Sequence, residues 1–172
     1  ENTNDGAEIW RTNNGTSWQQ ANLNGFGDSD NVNIGSIVVF NNILYASTQN
    51  LNGAEIWRSV NGINWTKVID GGLGDPNNSK FQSLYVFDDH LFTASYNKTT
   101  GINVWKSANG TTFEQINIGG FGDSNNSYTL WNTATIDFND QLYIGTTNHN
   151  GGELWRYEPG GSNIYLPLII KN

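Results

Sequence analysis

The chain has 172 residues, a formal net charge of −8, no cysteine, no methionine and only 14% charged residues. Its eight Lys and Arg are scattered, so there is no basic stripe to neutralise phosphates and nucleic acid is excluded as a partner class. Disulfides and thiolate metal sites are excluded with the cysteines, and the lack of an apolar run near 18 residues argues against a membrane span.

The polar positions are dominated by Asn, Gly, Ser and Thr, a composition expected of a secreted all-β protein, and the localisation it implies is extracellular or cell surface. There is no leader sequence, so the chain reads as a mature or internal segment.

Short strands alternate with turn dipeptides, and no stretch shows a 3.6-residue apolar period, so helices are not expected. Residues 1–22 supply a loop and two strands. Strands follow at Ser36 to Phe40 and Ile43 to Thr48, joined by Asn41-Asn42, then at Ala54 to Ser59 and Asn64 to Ile69, joined across Asn61-Gly62. Both dipeptides suit two-residue hairpins. The same grid predicts strands at Ser83 to Phe87, Leu91 to Tyr96, Ile102 to Ser107 and Thr112 to Ile116. The last set is Thr133 to Phe138, Gln141 to Thr146, Glu153 to Tyr157 and Asn163 to Ile170.

The grid exists because the chain repeats itself. Gly6-Ala-Glu-Ile-Trp10-Arg returns as Gly53-Ala-Glu-Ile-Trp57-Arg, Gly101-Ile-Asn-Val-Trp105-Lys and Gly151-Gly-Glu-Leu-Trp155-Arg, at spacings of 47, 48 and 50 residues. That is the period of a four-stranded propeller blade. The predicted fold is therefore all-β, with about three and a half propeller-type blades. The expected divisions are a half blade over 1–34, blades over 35–80 and 81–131, and a last blade over 132–172.

The segments Thr12-Asn-Asn-Gly-Thr-Ser-Trp18, Ser59-Val-Asn-Gly-Ile-Asn-Trp65 and Ser107-Ala-Asn-Gly-Thr-Thr-Phe113 resemble a shortened Asp-box (BNR), the repeated turn of sialidase-like β-propellers. The resemblance implies a turn between the third and fourth strands, away from a catalytic face, capped by Asn14, Asn61 and Asn109. Physics points the same way, because Asx and Ser/Thr side chains bond nearby backbone. Trp10, Trp57, Trp105 and Trp155 recur at one register and read as inter-blade core. Arg11, Arg58, Lys106 and Arg156 follow them, and Glu8, Glu55 and Glu153 precede them, which suggests structural pairing. No unique pair of carboxyl groups stands out, as glycoside hydrolysis would require, and the sialidase site is not expected.

A second repeated element joins each fourth strand to the next blade: Gly25-Phe-Gly-Asp28-Ser-Asp30-Asn31, Gly72-Leu-Gly-Asp75-Pro-Asn77-Asn78 and Gly120-Phe-Gly-Asp123-Ser-Asn125-Asn126. Alternate oxygens at Asp28 and Asp30, at Asp75 and Asn77, and at Asp123 and Asn125 suit a hard cation such as Ca²⁺. They equally suit an Asx turn that shapes the connection, and both readings stand. The last such loop is longer and carries Tyr128 and Trp131, which suit stacking on a sugar ring, docking of a partner, or plugging a central channel.

Ile164-Tyr-Leu-Pro-Leu-Ile-Ile-Lys-Asn172 is the most apolar stretch and resembles the Leu-Pro-Leu tails of secreted proteins from filamentous green bacteria. It reads as the outermost strand, where Pro167 is tolerated, or as a strand given to another chain. A half blade leaves Ile9, Trp10 and Trp18 short of packing. These three, with Tyr165, Leu166, Leu168, Ile169 and Ile170, are the expected assembly surface, and the expected partners are other copies or further blades. The leading expectation is a non-catalytic extracellular module that self-associates through blade edges as part of a surface assembly or filament. Its alternatives are a carbohydrate-binding propeller and the C-terminal part of a larger propeller glycosidase.

Overall fold

The computed structural model describes residues 1–126, 134–160 and 165–168, and the chain forms two compact units, Glu1–Phe81 and Gln82–Asn172. In the first unit, β1 (Trp10–Arg11) and β2 (Gln19–Gln20) pair as a short antiparallel ribbon. A four-stranded antiparallel blade follows, in which β3 (Asn33–Phe40), β4 (Ile43–Gln49), β5 (Ile56–Ser59) and β6 (Thr66–Ile69) lie side by side in chain order. The second unit repeats this twice. β7 (Asn78–Phe87), whose first residues close the first unit, leads β8 (His90–Asn97), β9 (Asn103–Ser107) and β10 (Glu114–Gln115). β11 (Ala134–Phe138), β12 (Gln141–Thr146), β13 (Glu153–Tyr157) and β14 (Tyr165–Leu168) form the last blade. The fold is all-β and built of propeller-type blades.

The first hairpin of each blade turns on two consecutive left-handed residues. These are Asn41-Asn42 (φ 49° and 64°), Asp88-Asp89 (46° and 54°) and Asn139-Asp140 (50° and 56°). Asx residues tolerate this region, which matches the right-handed twist of the flanking strands. The Asn61-Gly62 turn is different: only Gly62 is left-handed, at φ 70°. Here side chains close the turn. Asn61 Oδ1 accepts the N–H groups of Ile63 and Asn64 at 3.0 and 2.9 Å, and Ser59 Oγ accepts that of Gly62 at 2.8 Å. Asn14 with Thr12 and Asn109 with Ser107 repeat the pattern, with backbone bonds of 2.8 to 2.9 Å to the equivalent amides.

Each unit has its own apolar centre. Ile9, Ala21 and Ala46 pack with Phe26, Ile34 and Trp65 in the first. Phe92, Ile102, Val104, Leu142, Ile144 and Tyr157 pack in the second. The placement of Ile9 corrects the expectation that it lacks packing. Neighbouring strand residues face opposite ways, so Ile9 points into the core while Trp10 is 51% exposed.

Between the third strand of a blade and the loop that leaves it, two backbones nearly touch. Gly53 has φ +111°, and a Cβ built on it would lie 2.4 Å from the carbonyl carbon of Gly71; Gly6 and Gly101 would meet the Cα of Gly25 and Gly120 at 2.6 and 2.5 Å. The approach lets Gly72 N–H reach Ala54 O at 3.0 Å and Ala54 N–H reach Asn78 O at 2.8 Å. Gly53→Ala is therefore expected to lower the unfolding free energy by at least about 1–3 kcal/mol, the cost of a non-glycine residue in such a conformation. Urea denaturation reads this directly, and an unchanged midpoint would show that the close approach is dispensable.

Candidate functional site

Three described exit loops share two consecutive left-handed residues, Gly25 and Phe26 (φ 55° and 59°), Gly72 and Leu73 (66° and 60°), and Gly120 and Phe121 (57° and 55°). A left-handed Phe or Leu carries a strain of about 1–3 kcal/mol. What offsets it is visible within each unit. Phe26 lies flat on Trp57 with ring centroids 4.7 Å apart and planes 9° apart, and Phe121 lies on Trp155 at 4.1 Å and 11°. Stacked aromatic pairs contribute about 0.5–1.5 kcal/mol beyond their buried area.

The loop ends in a buried asparagine. Asn31, fully buried, donates from Nδ2 to Gly25 O at 2.9 Å and to Glu55 Oε2 at 2.6 Å. Its Oδ1 accepts from Asn50 Nδ2 at 3.2 Å, and the same Asn50 amide donates to Asp28 Oδ2 at 3.1 Å. Glu55, only 2% exposed, also accepts from Trp57 Nε1 at 2.8 Å and from Lys67 Nζ at 2.5 Å. The second unit builds the same site. Asn126 donates to Gly120 O at 2.9 Å and Glu153 Oε2 at 2.6 Å, Asn148 Nδ2 donates to Asn126 Oδ1 and Asp123 Oδ2 at 3.0 and 2.9 Å, and Trp155 Nε1 donates to Glu153 at 3.1 Å. One asparagine thus ties its own exit loop to the acidic residue and tryptophan of the following blade.

In the third copy of the strand Asn103 replaces the glutamate, and Gln115 replaces the lysine. Gln115 Nε2 donates to Asn103 Oδ1 at 3.0 Å, so the charged Lys67–Glu55 pair has a neutral counterpart. Among the described residues Trp105 Nε1 is then buried without an acceptor. The arginines are not the partners of these acids. A residue three positions along a strand faces the other way, and Arg156 instead pairs with Glu158 at 2.8 Å, while Lys106 pairs with Glu114 at 3.1 Å.

The oxygen-bearing loop residues are turned toward amides. Asp28 Oδ1 accepts Asp30 N–H at 2.9 Å, Asp30 Oδ2 accepts Asn52 Nδ2 at 2.9 Å, Asp75 Oδ1 accepts from Asn77 N and Nδ2 at 2.9 Å, and Asp123 Oδ1 accepts from Asn125 N and Nδ2 at 2.9 and 2.8 Å. Each loop is an Asx turn whose other carboxylate oxygen, at Asp28 and Asp123, is bonded across to an asparagine. Among the described residues no group of three or more His, Cys, Asp or Glu comes together to hold a metal ion.

Of the expected assembly residues, Trp10 and Trp18 are 51% and 55% exposed, and Glu8, bonded to Trp10, is exposed. The backbone of β14 pairs with β13, Leu168 opposite Leu154 and Tyr165 opposite Arg156. Tyr128, Trp131, Ile169 and Ile170 lie outside the described residues, as do the side chains of Tyr165, Leu166 and Leu168. Sequence reasoning missed Asn31, Asn50, Asn126 and Asn148 as the centre of the site. The signal was present: a neutral polar residue recurs at positions 31, 78 and 126, and again at 50, 97 and 148.

An aromatic cleft of about 270 Å³ opens beside the first site, lined by Leu23, Phe26, Trp57, Ile63, Asn64 and Trp65. Both indole N–H groups are spent, Trp57 on Glu55 and Trp65 on Ala21 O at 2.8 Å, and the Trp57 ring already meets Phe26 and Lys67, which leaves the Trp65 ring and the Asn64 amide to meet a ligand.

Residues 1–163 match the DUF6242 beta propeller domain. The chain belongs to that family. No curated protein matches it in sequence. Among solved structures it is similar to the Bacteroides ovatus protein described as Xyloglucan PUL GH43B, with 12% identity and a TM-score of 0.53 over 96% of this chain and 36% of that one. It is also similar to the Bombyx mori GH32 beta-fructofuranosidase, with 15% identity and a TM-score of 0.40 over 80% and 36% of the two chains. The first of these likenesses shows the fold, and the chain spans about a third of that protein's length.

The backbone N–H of Asn125, followed by the Asn148 and Asn125 amides, holds the Asp123 carboxyl below the ordinary carboxylate range. A group with a lowered native pKa stabilises the fold above its unfolded pKa, about 3.9 for Asp, and loses that contribution as pH falls below it. Melting temperatures recorded from about pH 6 to pH 2 should therefore fall more steeply for the natural chain than for Asp123→Asn, which cannot titrate. Parallel curves would contradict the loop assignment.

Proposed function

We propose that the chain is a non-catalytic, extracellular structural and interaction module whose blades associate with further blades through the open face of the β1–β2 ribbon. The observation that carries this reading is a difference between repeats. Trp57 and Trp65 are covered by Phe26 and by the Ala21 carbonyl of the preceding repeat, whereas Trp10 and Trp18, at the same register, are more than half exposed. A large aromatic left in water forgoes roughly 1.5–3 kcal/mol of burial, and two exposed tryptophans, one of them bonded to Glu8, suit a partner surface.

Support for a non-catalytic role comes from the acids of the third strands. Glu55 and Glu153 are spent on asparagine amides and indole N–H groups that join blades, which fits structure better than proton transfer. The Asx-bracketed turns at Asn14, Asn61 and Asn109 support placing the repeats with the Asp-box type of propeller. Partners on this reading are other copies of the chain or further blades of the same protein. The aromatic cleft beside Trp65 favours a second reading, a carbohydrate-binding propeller that stacks a sugar ring on the indole face.

Sedimentation velocity separates the two. Association above the monomer mass as concentration rises, reversed by Trp10→Ser together with Trp18→Ser, is the expected result. A monomer at every concentration that is retained on immobilised glycans, with retention lost on Trp65→Ala, would overturn the module reading in favour of the cleft.

A further inference from the structure

Within this chain, every described glutamate and tryptophan pair of a third strand except one is met by an exit loop of the blade before it. Asn31 and Phe26 meet Glu55 and Trp57, and Asn126 and Phe121 meet Glu153 and Trp155. The exception is Glu8 with Trp10, where Trp10 Nε1 already donates to Glu8 Oε2 at 2.9 Å, as Trp57 does to Glu55 at 2.8 Å. The acceptor and the indole face are thus arranged as at the occupied sites, with both groups exposed.

We infer that the Glu8–Trp10 face is a docking site for one kind of element, the exit loop of a like blade with the sequence Gly-aromatic-Gly-Asp-x-x-Asn, whose aromatic ring stacks on Trp10 and whose asparagine amide donates to Glu8. The inference rests on the blade-association reading and names what that face recognises. Charge and shape both select this occupant. A carboxylate that loses water on docking needs a donor beyond the one Trp10 supplies, and the loop presents an N–H from an asparagine fixed by its own bond to the loop's first glycine carbonyl, as Asn31 is by Gly25 O. The left-handed Gly-Phe pair aims the ring outward from the loop at the same time. An apolar strand such as residues 163–172 would bury Trp10, but it lacks the Gly-aromatic-Gly-Asp-x-x-Asn pattern that presents a ring and an asparagine amide together. A second copy offers the loop poorly, because Asn31 and Asn126 are held in its own blades and Asp75 and Asn78 also have partners, so copies would meet through their own Trp10 faces and compete with the loop for this site.

The test uses the full chain and a backbone-cyclised peptide with the sequence of residues 21–32. Titration followed by indole fluorescence should saturate, and the peptide should displace self-association in sedimentation velocity. Phe26→Ala or Asn31→Ala in the peptide, and Glu8→Ala in the chain, should each weaken binding by about tenfold or more, the effect of losing a buried aromatic ring or a hydrogen bond to a charged group. Glu114→Ala, at an exposed acid elsewhere, should leave binding unchanged. Glu8 is exposed, so an unchanged melting temperature will establish that its variant is folded. Absence of saturable binding, or binding indifferent to Glu8→Ala, overturns the inference. If self-association persists while the peptide neither binds nor competes, only the occupant is wrong; if the chain is monomeric and the peptide does not bind, the blade-association reading falls as well.

Discussion

Gly53 and Gly71, like Gly6 with Gly25 and Gly101 with Gly120, approach so closely that a Cβ on the first of each pair has no room, and the rest of each repeat depends on that contact. It brings the start of a third strand against the loop leaving the same blade, so the two exchange backbone hydrogen bonds. Only then does the loop's terminal asparagine lie where its side chain can reach the next blade. The loop's left-handed aromatic is aimed in the same direction. A single steric constraint therefore fixes a polar clamp and an aromatic stack together.

The clamp is costly to build. Glu55 is nearly inaccessible to water, and burying a carboxylate is unfavourable unless its lone pairs are filled. Here an asparagine amide, an indole N–H and a lysine ammonium fill them. Burial works against the charge of Lys67, but its bonds to Glu55 and Asp70 outweigh this and raise its pKa above the ordinary lysine value. In the third copy the bond between Gln115 and Asn103 persists without charge, while the Trp105 indole N–H loses its acceptor. Removing one partner alone is the harmful change, because it strands a buried charge.

The blade repeat was legible because its period and its hairpin dipeptides are written in local sequence. Most predicted strands appear, but with shifted limits. β3 and β7 begin earlier than the apolar pattern suggests; in β7 the polar segment from Asn78 to Lys80 is held by backbone bonds to the preceding blade rather than by an alternating apolar pattern. β10 is reduced to Glu114–Gln115 because the turn closed by Asn109 and Ser107 extends into the expected strand. The site itself was hidden for a related reason. Asp28 and Asp123 drew attention as charges, while the asparagines that organise them carry none, and the partners of Asn31 and Asn126 lie 24 and 27 residues away. Pairing between the repeated arginines and glutamates was misread because strand alternation, which puts positions 55 and 58 on opposite faces, was not applied to them.

The central claim is that Asn31 and Glu55 act as one unit joining successive blades. A double-mutant cycle on Asn31→Ala and Glu55→Ala, with stability read by urea denaturation of each single and the double variant, tests it most directly. The account predicts a coupling of about 1–3 kcal/mol, the range for directly contacting polar partners. Additive losses, with no coupling beyond about 0.5 kcal/mol, would contradict it and leave the blades held by their apolar contacts alone.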